Sequence, residues 1–382
     1  MIAKRFCPIC SNDTITKLQK IEMDLMSEIK LPKVYDVVCC ERCGFCYADT
    51  SASKEDYDFY YKNCNVYSNM PKAVNENETK FYYFREIISR YLNKESLLLN
   101  IGIGDGIFEV QASENGYKNV IGIDPSKSSV KKLEKHGIQA YEGSIYDSSY
   151  KQSLNNKVEA VFLFDVLEHL LNLNEAINKL TEIVENNTKL FITVPNCGEL
   201  NKNSTLIPNN FNQEHINYFS RQSLKNLMRK FGFEEIYFHA SIDEIYSVYN
   251  YNINQIDDKI IKDECTSDAM KIYFESQIQN SVKRNQLISS LKAKREPLIV
   301  WGIGAYTMNL LSTTELSECD IKCFVDNNPL KSGTKLNHLC VKLPSEVEFD
   351  DAYTILVCSM LNSKEIEKQI KSLKLKNKLI IL

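Results

Sequence analysis

A buried strand that runs directly into a glycine turn and then into a helix is the feature that most constrains this fold. Residues 96–101, Ser-Leu-Leu-Leu-Asn-Ile, are followed by Gly102-Ile-Gly104-Asp-Gly106, and a helical pattern begins at Ile107. A second strand at 119–123 ends in Asp124. Strand, glycine turn, helix and a second strand that ends in an acid are typical of a Rossmann-like α/β unit, in which that acid binds ribose hydroxyls.

The same pattern returns near the end of the chain. Residues 298–301 are a short apolar run that leads into Gly302-Ile-Gly304, and the strand at 321–325 ends in Asp326. Further strands are predicted at 354–358 and 378–382, and a long polar helix at 267–295. A second, smaller Rossmann-like unit follows from this order. Its glycine turn could bind a nucleotide phosphate at the helix N-terminus or could only permit close packing, and the sequence leaves both interpretations open.

Two cysteine pairs near the start predict a metal site. Cys7-Pro-Ile-Cys10 and Cys40-Glu-Arg-Cys43 are CxxC pairs, and Gly44 permits a tight turn. Paired CxxC turns supply the four thiolates of a tetrahedral zinc ion, which then has no open position and serves folding alone. The alternative is a group of buried free thiols. Within the zinc interpretation, Cys39 could replace Cys40, and Cys46 could replace Cys43.

Length, charge and cysteine content exclude several classes of protein. A chain of 382 residues exceeds the size of one hydrophobic core, so two or three domains are expected. No apolar run reaches the roughly 20 residues that span a bilayer, and the start does not have the pattern of a secretory signal. We therefore expect a cytoplasmic protein, in which the thirteen cysteines are thiols and metal ligands. The net charge of −4 disfavours a nucleic-acid partner.

The segments after the second strand indicate the type of Rossmann-like domain. Buried strands at 158–164 and 190–194 are followed by Asp165-Val-Leu-Glu-His-Leu170 and by Pro195-Asn196. With the glycine turn, this order resembles the class I S-adenosylmethionine-dependent methyltransferases. The resemblance implies that S-adenosylmethionine is the cofactor. The residues that it implies for binding are Gly102, Gly104, Asp105, Asp124, Ser144 and Asp165, with Asp147 as a second candidate beside the adenine.

Two further positions bear on the cofactor. Many members of that family have an acid where this chain has Asn100, so Asp105 is the candidate that shares the contact with the amino group of the cofactor. A nicotinamide dinucleotide is the competing cofactor, but it would require a GxGxxG pattern. Gly106 comes too early for that pattern, which favours S-adenosylmethionine.

The whole chain resembles the three-domain sugar C-methyltransferases, which contain zinc and act on nucleotide-linked keto-deoxysugars. Residues 212–215, Asn-Gln-Glu-His, keep the second half of a Tyr-His-Glu-His segment in that family. The resemblance implies His215 as the base, with Glu214 beside it. His169 would polarise the carbonyl or shuttle a proton, or it only caps the site. Tyr67 is the nearest counterpart of a further family tyrosine.

The predicted fold class is α/β, with a small N-terminal four-cysteine zinc-binding domain, a central Rossmann-like class I methyltransferase domain and a smaller C-terminal Rossmann-like domain. An aromatic run, Tyr57-Asp-Phe-Tyr-Tyr61, either packs between domains or offers hydroxyls to a substrate pocket. The predicted segments are a zinc-binding domain at 1–75, a methyltransferase domain at 76–240, a helical linker at 241–295 and the C-terminal domain at 296–382.

The resulting functional hypothesis is methyl transfer to a nucleotide-linked or otherwise activated sugar. Carbon is the first choice of acceptor atom, and nitrogen or oxygen of a modified sugar are alternatives. An RNA methyltransferase with a zinc module and an inactive zinc scaffold are further alternatives. The expected partner is a small-molecule acceptor, with no nucleic acid and no membrane, and the sequence predicts no oligomeric state.

Overall fold

The computed structural model describes residues 1–63, 79–147, 150–151, 154, 157–202, 210–359 and 362–382. The chain divides into two compact units. The first comprises residues 1–18, 38–202 and 214–270, and the second comprises residues 19–37, 203–213 and 271–382. The cysteine-rich segment and the central Rossmann-like region therefore share most of one unit. The domain boundaries near 75, 240 and 295 stay predictions.

The N-terminal segment consists of three strands and a helix. These are β1 (Ile15–Glu22), β2 (Val34–Cys40), β3 (Cys46–Asp49) and α1 (Lys54–Asn63). Gly44 makes the turn between β2 and β3 with a φ of +74°, and a Cβ atom there would lie 2.0 Å from the carbonyl oxygen of Asp263. Only glycine fits this turn, because both the backbone angle and the available space exclude a side chain.

The central region alternates strands and helices, as the sequence predicts. Its strands are β4 (Leu97–Ile101), β5 (Asn119–Asp124), β6 (Gln139–Glu142), β7 (Val158–Phe164), β8 (Val184–Pro195), β9 (Asn217–Tyr218), β10 (Phe233–Ala240) and β11 (Glu244–Tyr251). Its helices are α2 (Lys80–Tyr91), α3 (Ile107–Glu114), α4 (Lys127–Lys135), α5 (Leu173–Thr181) and α6 (Arg221–Arg229). Seven of the strands form one sheet in the order β10-β11-β8-β7-β4-β5-β6, and β9 pairs with β3 in another sheet.

The seven-stranded sheet is buried on both faces. Leu97 and Leu99 of β4 belong to one apolar cluster, which extends to Cys7 and Phe45, whereas Leu98 belongs to a second cluster. Successive side chains of a strand point to opposite faces, so the two clusters cover the two sides of the sheet. This double burial explains why the strand has an uninterrupted apolar run rather than alternating polarity.

The segment after residue 240 differs from its prediction. The linker predicted at 241–295 was expected to contain its long helix at 267–295, and no strand was predicted before that helix. In the structure, β11 forms an antiparallel hairpin with β10 and also pairs with β8. The long helix predicted at 267–295 is confirmed, because it begins at Thr266 and ends at Lys294. The sequence of β11, Glu-Ile-Tyr-Ser-Val-Tyr-Asn-Tyr, is rich in the β-branched and aromatic residues that favour strands. Polar residues interrupt the apolar positions of β11, so the sequence does not show the continuous apolar run that identifies β4 as a strand.

The end of the chain forms the second α/β unit that the sequence predicts. Its elements are α7 (Thr266–Lys294), β12 (Leu298–Trp301), α8 (Ala305–Thr313), β13 (Ile321–Val325), β14 (Lys335–Leu336), β15 (Leu339–Lys342), β16 (Thr354–Val357), α9 (Ser363–Ser372) and β17 (Leu379–Ile381). The strands follow the order β14-β15-β13-β12-β16-β17 in a six-stranded sheet. Among the described helices, none combines the length and the apolar character that crossing a membrane requires.

Candidate active site and cysteine cluster

The glycine turn after β4 lies against the loop that follows β7. Gly102 has a φ of +97°, and a Cβ atom at this position would lie 2.6 Å from Cγ2 of Val166. A Cβ atom on Gly104, which also has a positive φ, would meet nothing within 4 Å. The first glycine therefore permits close packing, whereas the second faces open space that a ligand can occupy.

Asp124 holds the turn from the end of the neighbouring strand. Its carboxylate is 4% exposed and accepts hydrogen bonds from the backbone N–H of Gly104, at 3.1 Å, and of Ser126, at 2.7 Å. Burial raises the pKa of Asp124. A carboxylate has about four acceptor positions, so acceptor capacity remains for ribose hydroxyls. The acceptor capacity of Asp124 and the open space beside Gly104 thus fit the ribose and methionine parts of S-adenosylmethionine.

The other cofactor candidates also follow strand ends. Parallel strands β4, β5, β6 and β7 end at one edge of the sheet, and Gly102, Asp124, Ser144 and Asp165 follow or end them. The N–H and hydroxyl of Ser144 both donate to Asp147, so the two adenine candidates form one local unit. The structure brings the predicted cofactor residues to the same edge, and their binding roles stay predictions.

Asp165 is held in an unusual backbone conformation at this edge. It has a φ of +54°, and it accepts a hydrogen bond of 2.8 Å from the Thr193 hydroxyl. The ammonium of Lys80 lies 3.2 Å from its carboxylate. Although burial opposes the change, Lys80 and Thr193 lower the pKa of Asp165. Aspartate is among the non-glycine residues that adopt the left-handed region most readily, and the cofactor contact of Asp165 stays a prediction.

Asn100 and Asp105 have local partners. Asn100 is 2% exposed, and its side-chain N–H donates to Glu109 of α3 at 2.8 Å. Glu109 is fully buried, and burial raises its pKa to about 8. Asp105 accepts a hydrogen bond of 3.1 Å from the N–H of Ile107 at the start of α3. Where many family members have an acid at the position of Asn100, this chain has a buried acid, Glu109 of α3, hydrogen-bonded to Asn100. Glu109 was not singled out from the sequence.

The three residues predicted to be catalytic lie together. His169 follows β7 in a short 3₁₀ turn, and its Nδ1 lies 3.0 Å from the carbonyl oxygen of Glu214. The rings of His169 and His215 are 4.8 Å apart, centre to centre. The backbone holds this arrangement, because the N–H of Ile216 donates to the carbonyl of Glu168 at 2.8 Å. The structure thus brings two distant sequence segments to one cluster.

Helix α1 adds two tyrosines that the sequence left undecided. The hydroxyl of Tyr60 donates to the carboxylate of Glu214, and the ring of Tyr61 contacts His169 edge-on at 5.9 Å between centres. The aromatic run therefore offers a hydroxyl to the cluster as well as packing surface. Tyr67, the counterpart suggested by the resemblance, lies outside the described residues.

Electrostatics keep both histidines of the cluster neutral. Burial and the neighbouring His169 lower the pKa of His215 to about 3. Burial also lowers the pKa of His169, against the opposing effect of Glu214. Neutral imidazoles have a lone pair available for a proton, an acceptor group or a metal. Glu168, beside them, is 1% exposed, and burial raises its pKa well above the usual value.

The four predicted cysteine ligands form one cluster. The sulfur atoms of Cys7 and Cys43 are 3.5 Å apart, as are those of Cys10 and Cys40, and all four lie within 4.8 Å of one another. Four thiols at tetrahedral spacing fit a structural zinc ion, whose binding would stabilise the fold of this segment. The alternative ligands Cys39 and Cys46 lie outside the cluster, where their thiols contact the carbonyl oxygen of Gly44.

Family comparisons identify two segments of the chain. Residues 77–237 match the model of a family described as "Methyltransferase domain". The chain carries a methyltransferase domain. It is an S-adenosylmethionine-dependent methyltransferase, as the sequence predicts. Residues 294–381 match a family described as "C2185-like, N-terminal", which covers the second α/β unit. None of the curated proteins matches this sequence.

Solved structures resemble the methyltransferase half at low similarity. They include the PH0226 protein of Pyrococcus horikoshii OT3, with 18% identity, a TM-score of 0.39 and coverage of 53% of this chain and 100% of that chain. Magnesium protoporphyrin IX methyltransferase of Synechocystis PCC 6803 has 14% identity, a TM-score of 0.40 and coverage of 52% and 100%. The CcbJ methyltransferase of Streptomyces caelestis has 15% identity and a TM-score of 0.38, with coverage of 51% of this chain and 97% of that chain. Similarities this weak transfer no substrate to this methyltransferase domain.

Proposed function

We propose that this enzyme transfers a methyl group from S-adenosylmethionine to a nucleotide-linked or otherwise activated sugar, with a carbon next to a keto group as the first choice of acceptor. The observation that supports this most strongly is the cluster of Tyr60, His169, Glu214 and His215. It gathers groups that can move a proton and groups that can polarise an oxygen, next to the loop that packs on the glycine turn. A carbon acid needs both kinds of help, because its proton must be removed before the carbon can attack.

The chain's residues would divide this chemistry as follows. S-adenosylmethionine supplies an electrophilic methyl group when it is bound. The Glu214–His215 pair takes the proton from the carbon beside the carbonyl, and His169 orients the carbonyl oxygen. The deprotonated carbon would keep the electron pair and would be the nucleophile that a methyl donor requires. Holding the two reacting carbons in line supplies much of the acceleration, which is the task of the glycine turn and Asp124.

The two half-reactions allow a direct test. We expect the enzyme to exchange the proton next to the keto group for deuterium in D₂O when no methyl donor is present. Adding S-adenosylmethionine should increase the mass of the same sugar by one methylene unit. A panel of nucleotide-linked keto-sugars, amino-sugars and hydroxyl sugars, read by mass spectrometry, covers the alternatives. Methylation without prior exchange would indicate nitrogen or oxygen as the acceptor, and no methylation anywhere in the panel would contradict the proposal.

A matched pair of variants tests the base. His215→Gln should abolish deuterium exchange while preserving the binding of S-adenosylhomocysteine. His136→Gln is the control, because His136 is exposed and bonds only to the backbone of its own helix among the described residues. Undiminished exchange in His215→Gln would remove His215 from the mechanism and would direct attention to Glu214 with its Tyr60 partner.

A further inference from the structure

Glu168 is a buried acid that has no role in the methyl transfer proposed above. Its side chain is 1% exposed, and one carboxylate oxygen, Oε2, has no hydrogen-bond partner in the described part of the chain. The other oxygen, Oε1, lies 4.0 Å from Nε2 of His169, which is too far for a hydrogen bond. Burying a carboxylate oxygen without a partner is costly, so the position of Oε2 calls for a further group that satisfies it.

The separation suits an ion between the two residues. Metal–oxygen and metal–nitrogen bonds are about 2.0–2.2 Å long, so two donors on one ion lie roughly 3–4 Å apart. One donor atom each from Glu168, His169 and His215 lies within 4.8 Å of the others, which is close to this spacing. Two histidines and one carboxylate are a recurrent set of ligands for divalent transition metals.

The surroundings orient the imidazole groups as metal ligands. The Nδ1 atom of His169 is hydrogen-bonded to the carbonyl of Glu214, so Nε2 is directed to the side of Glu168. Histidines that bind metals usually donate their other ring N–H to such a carbonyl, which fixes the tautomer and the ring orientation. His169 and His215 are only half-buried, which leaves one side of the cluster accessible to a substrate.

We propose that Glu168, His169 and His215 bind one divalent transition-metal ion, with an open position for an oxygen of the acceptor. Such an ion would withdraw electrons from a keto or hydroxyl oxygen and would make the neighbouring proton more acidic. His215 would then be a ligand, and Glu214, held by Tyr60, would take the proton. The metal site stands on the geometry alone; only the identity of the acceptor oxygen rests on the proposed function.

This site differs chemically from the cysteine cluster, which allows the two to be separated. Thiolates select soft or borderline ions such as Zn²⁺, whereas a carboxylate with imidazoles also accepts harder ions such as Mn²⁺. The zinc-loaded protein is therefore prepared with one equivalent of zinc, which the four thiolates bind first, and Mn²⁺ added to it should bind to Glu168, His169 and His215. It is also paramagnetic, so its binding can be counted directly.

The test is a titration of the zinc-loaded full chain with Mn²⁺, followed by electron paramagnetic resonance. We expect one equivalent to bind. Glu168→Gln and His215→Gln should each weaken binding at least about 100-fold, which is the upper end of what loss of a supporting partner alone produces. His136→Gln, with its exposed ring, should bind as the wild type does.

A measurement on the wild type guards against variants that do not fold. Mn²⁺ should broaden the ring-proton resonances of His169 and His215 and leave those of His136 sharp. Absence of saturable binding, or equal affinity in Glu168→Gln and wild type, would overturn the metal site. A protein that binds Mn²⁺ at these residues but methylates no sugar in the panel would keep the site and overturn the proposed function, so the two failures are distinguishable.

Discussion

The two glycine turns of this chain share one backbone plan. In the first unit, Asp124 accepts hydrogen bonds from Gly104 and from the residue two positions after itself. In the second unit, Asp326 accepts from Ile303, at 2.7 Å, and from Asn328, also two positions after itself, at 2.8 Å. Each turn follows a buried strand, and the acid ends the neighbouring strand in the first unit and directly follows it in the second. The plan is therefore repeated with one difference, because the turn donates from its third residue, Gly104, in the first unit and from its second residue, Ile303, in the second.

The two turns differ in whether a basic side chain pairs with the acid. The ammonium of Lys331 lies 3.0 Å from the carboxylate of Asp326 and also donates to the carbonyl of Ile303 at 2.5 Å. No lysine or arginine in the described part of the chain pairs with Asp124. Lys331 therefore uses acceptor positions of Asp326 and Ile303 in the second turn. In the first turn, Asp124 keeps acceptor positions that a bound ligand can use. The comparison indicates that the strand–glycine–helix pattern predicts a fold, and we expect the polar neighbours of each turn to determine whether it binds a cofactor.

The largest expected effect comes from breaking the ion pair of the second turn. Asp326→Asn would leave the charge of Lys331 buried without its partner, which typically costs about 3–5 kcal/mol. We expect chemical denaturation to show a loss of that order, with unchanged affinity for S-adenosylhomocysteine. Asp326→Asn combined with Lys331→Met should recover part of the stability. If Asp326→Asn left the free energy of unfolding unchanged, Lys331 would not depend on Asp326 and would be available to a ligand. The contrast between the two turns would then fail.

The next effect tests the buried acid of the first unit. Folded Glu109 keeps its proton up to about pH 8, whereas an unfolded glutamate loses it near pH 4.3, so wild-type stability should fall between these values. Glu109→Gln lacks this titration and should gain on the order of 2–4 kcal/mol relative to wild type between pH 5 and pH 9. The difference in free energy of unfolding between Glu109→Gln and wild type, measured by urea unfolding, should be small at pH 5 and largest at pH 9. A gap that is independent of pH would show that Glu109 is ionised in the folded protein at both pH values.

The smallest effect compares two alanine substitutions in matching surroundings. A Cβ atom at Gly104 or at Gly304 meets nothing within 4 Å. Gly104→Ala should nevertheless weaken the binding of S-adenosylhomocysteine about 100-fold, because its methyl group enters the space assigned to the ligand and the φ of +58° adds strain. Gly304→Ala should leave that affinity unchanged within twofold, as measured by calorimetry. Equal losses in both variants would contradict the assignment of the ligand to the first turn.

The sequence predicted the elements with strong local signals. The strand β4, the glycine turn after it and the long helix α7 follow from an apolar run, glycine spacing and a continuous polar helical pattern. The four cysteine ligands follow from CxxC spacing, and the structure brings the four together. These features depend on residues that are close in the sequence, so local patterns are enough to find them.

The rest depends on contacts between distant segments. Tyr60 meets Glu214 across more than 150 residues, and no local pattern reports such a contact. The pair of Asn100 and Glu109 was missed because a single buried acid on a helix is indistinguishable from an exposed one in the sequence. The strand β11 was missed because its tyrosines and polar residues do not form the uninterrupted apolar run that identified β4.

Counting the binding sites for the methyl donor tests the account most directly. We predict that isothermal titration of the zinc-loaded chain with S-adenosylmethionine gives one site per chain. That site should weaken strongly in Gly104→Ala and should be preserved in Gly304→Ala. Two equivalent sites, or one site that survives in Gly104→Ala and disappears in Gly304→Ala, would contradict the claim that only the first of the two glycine turns binds the cofactor.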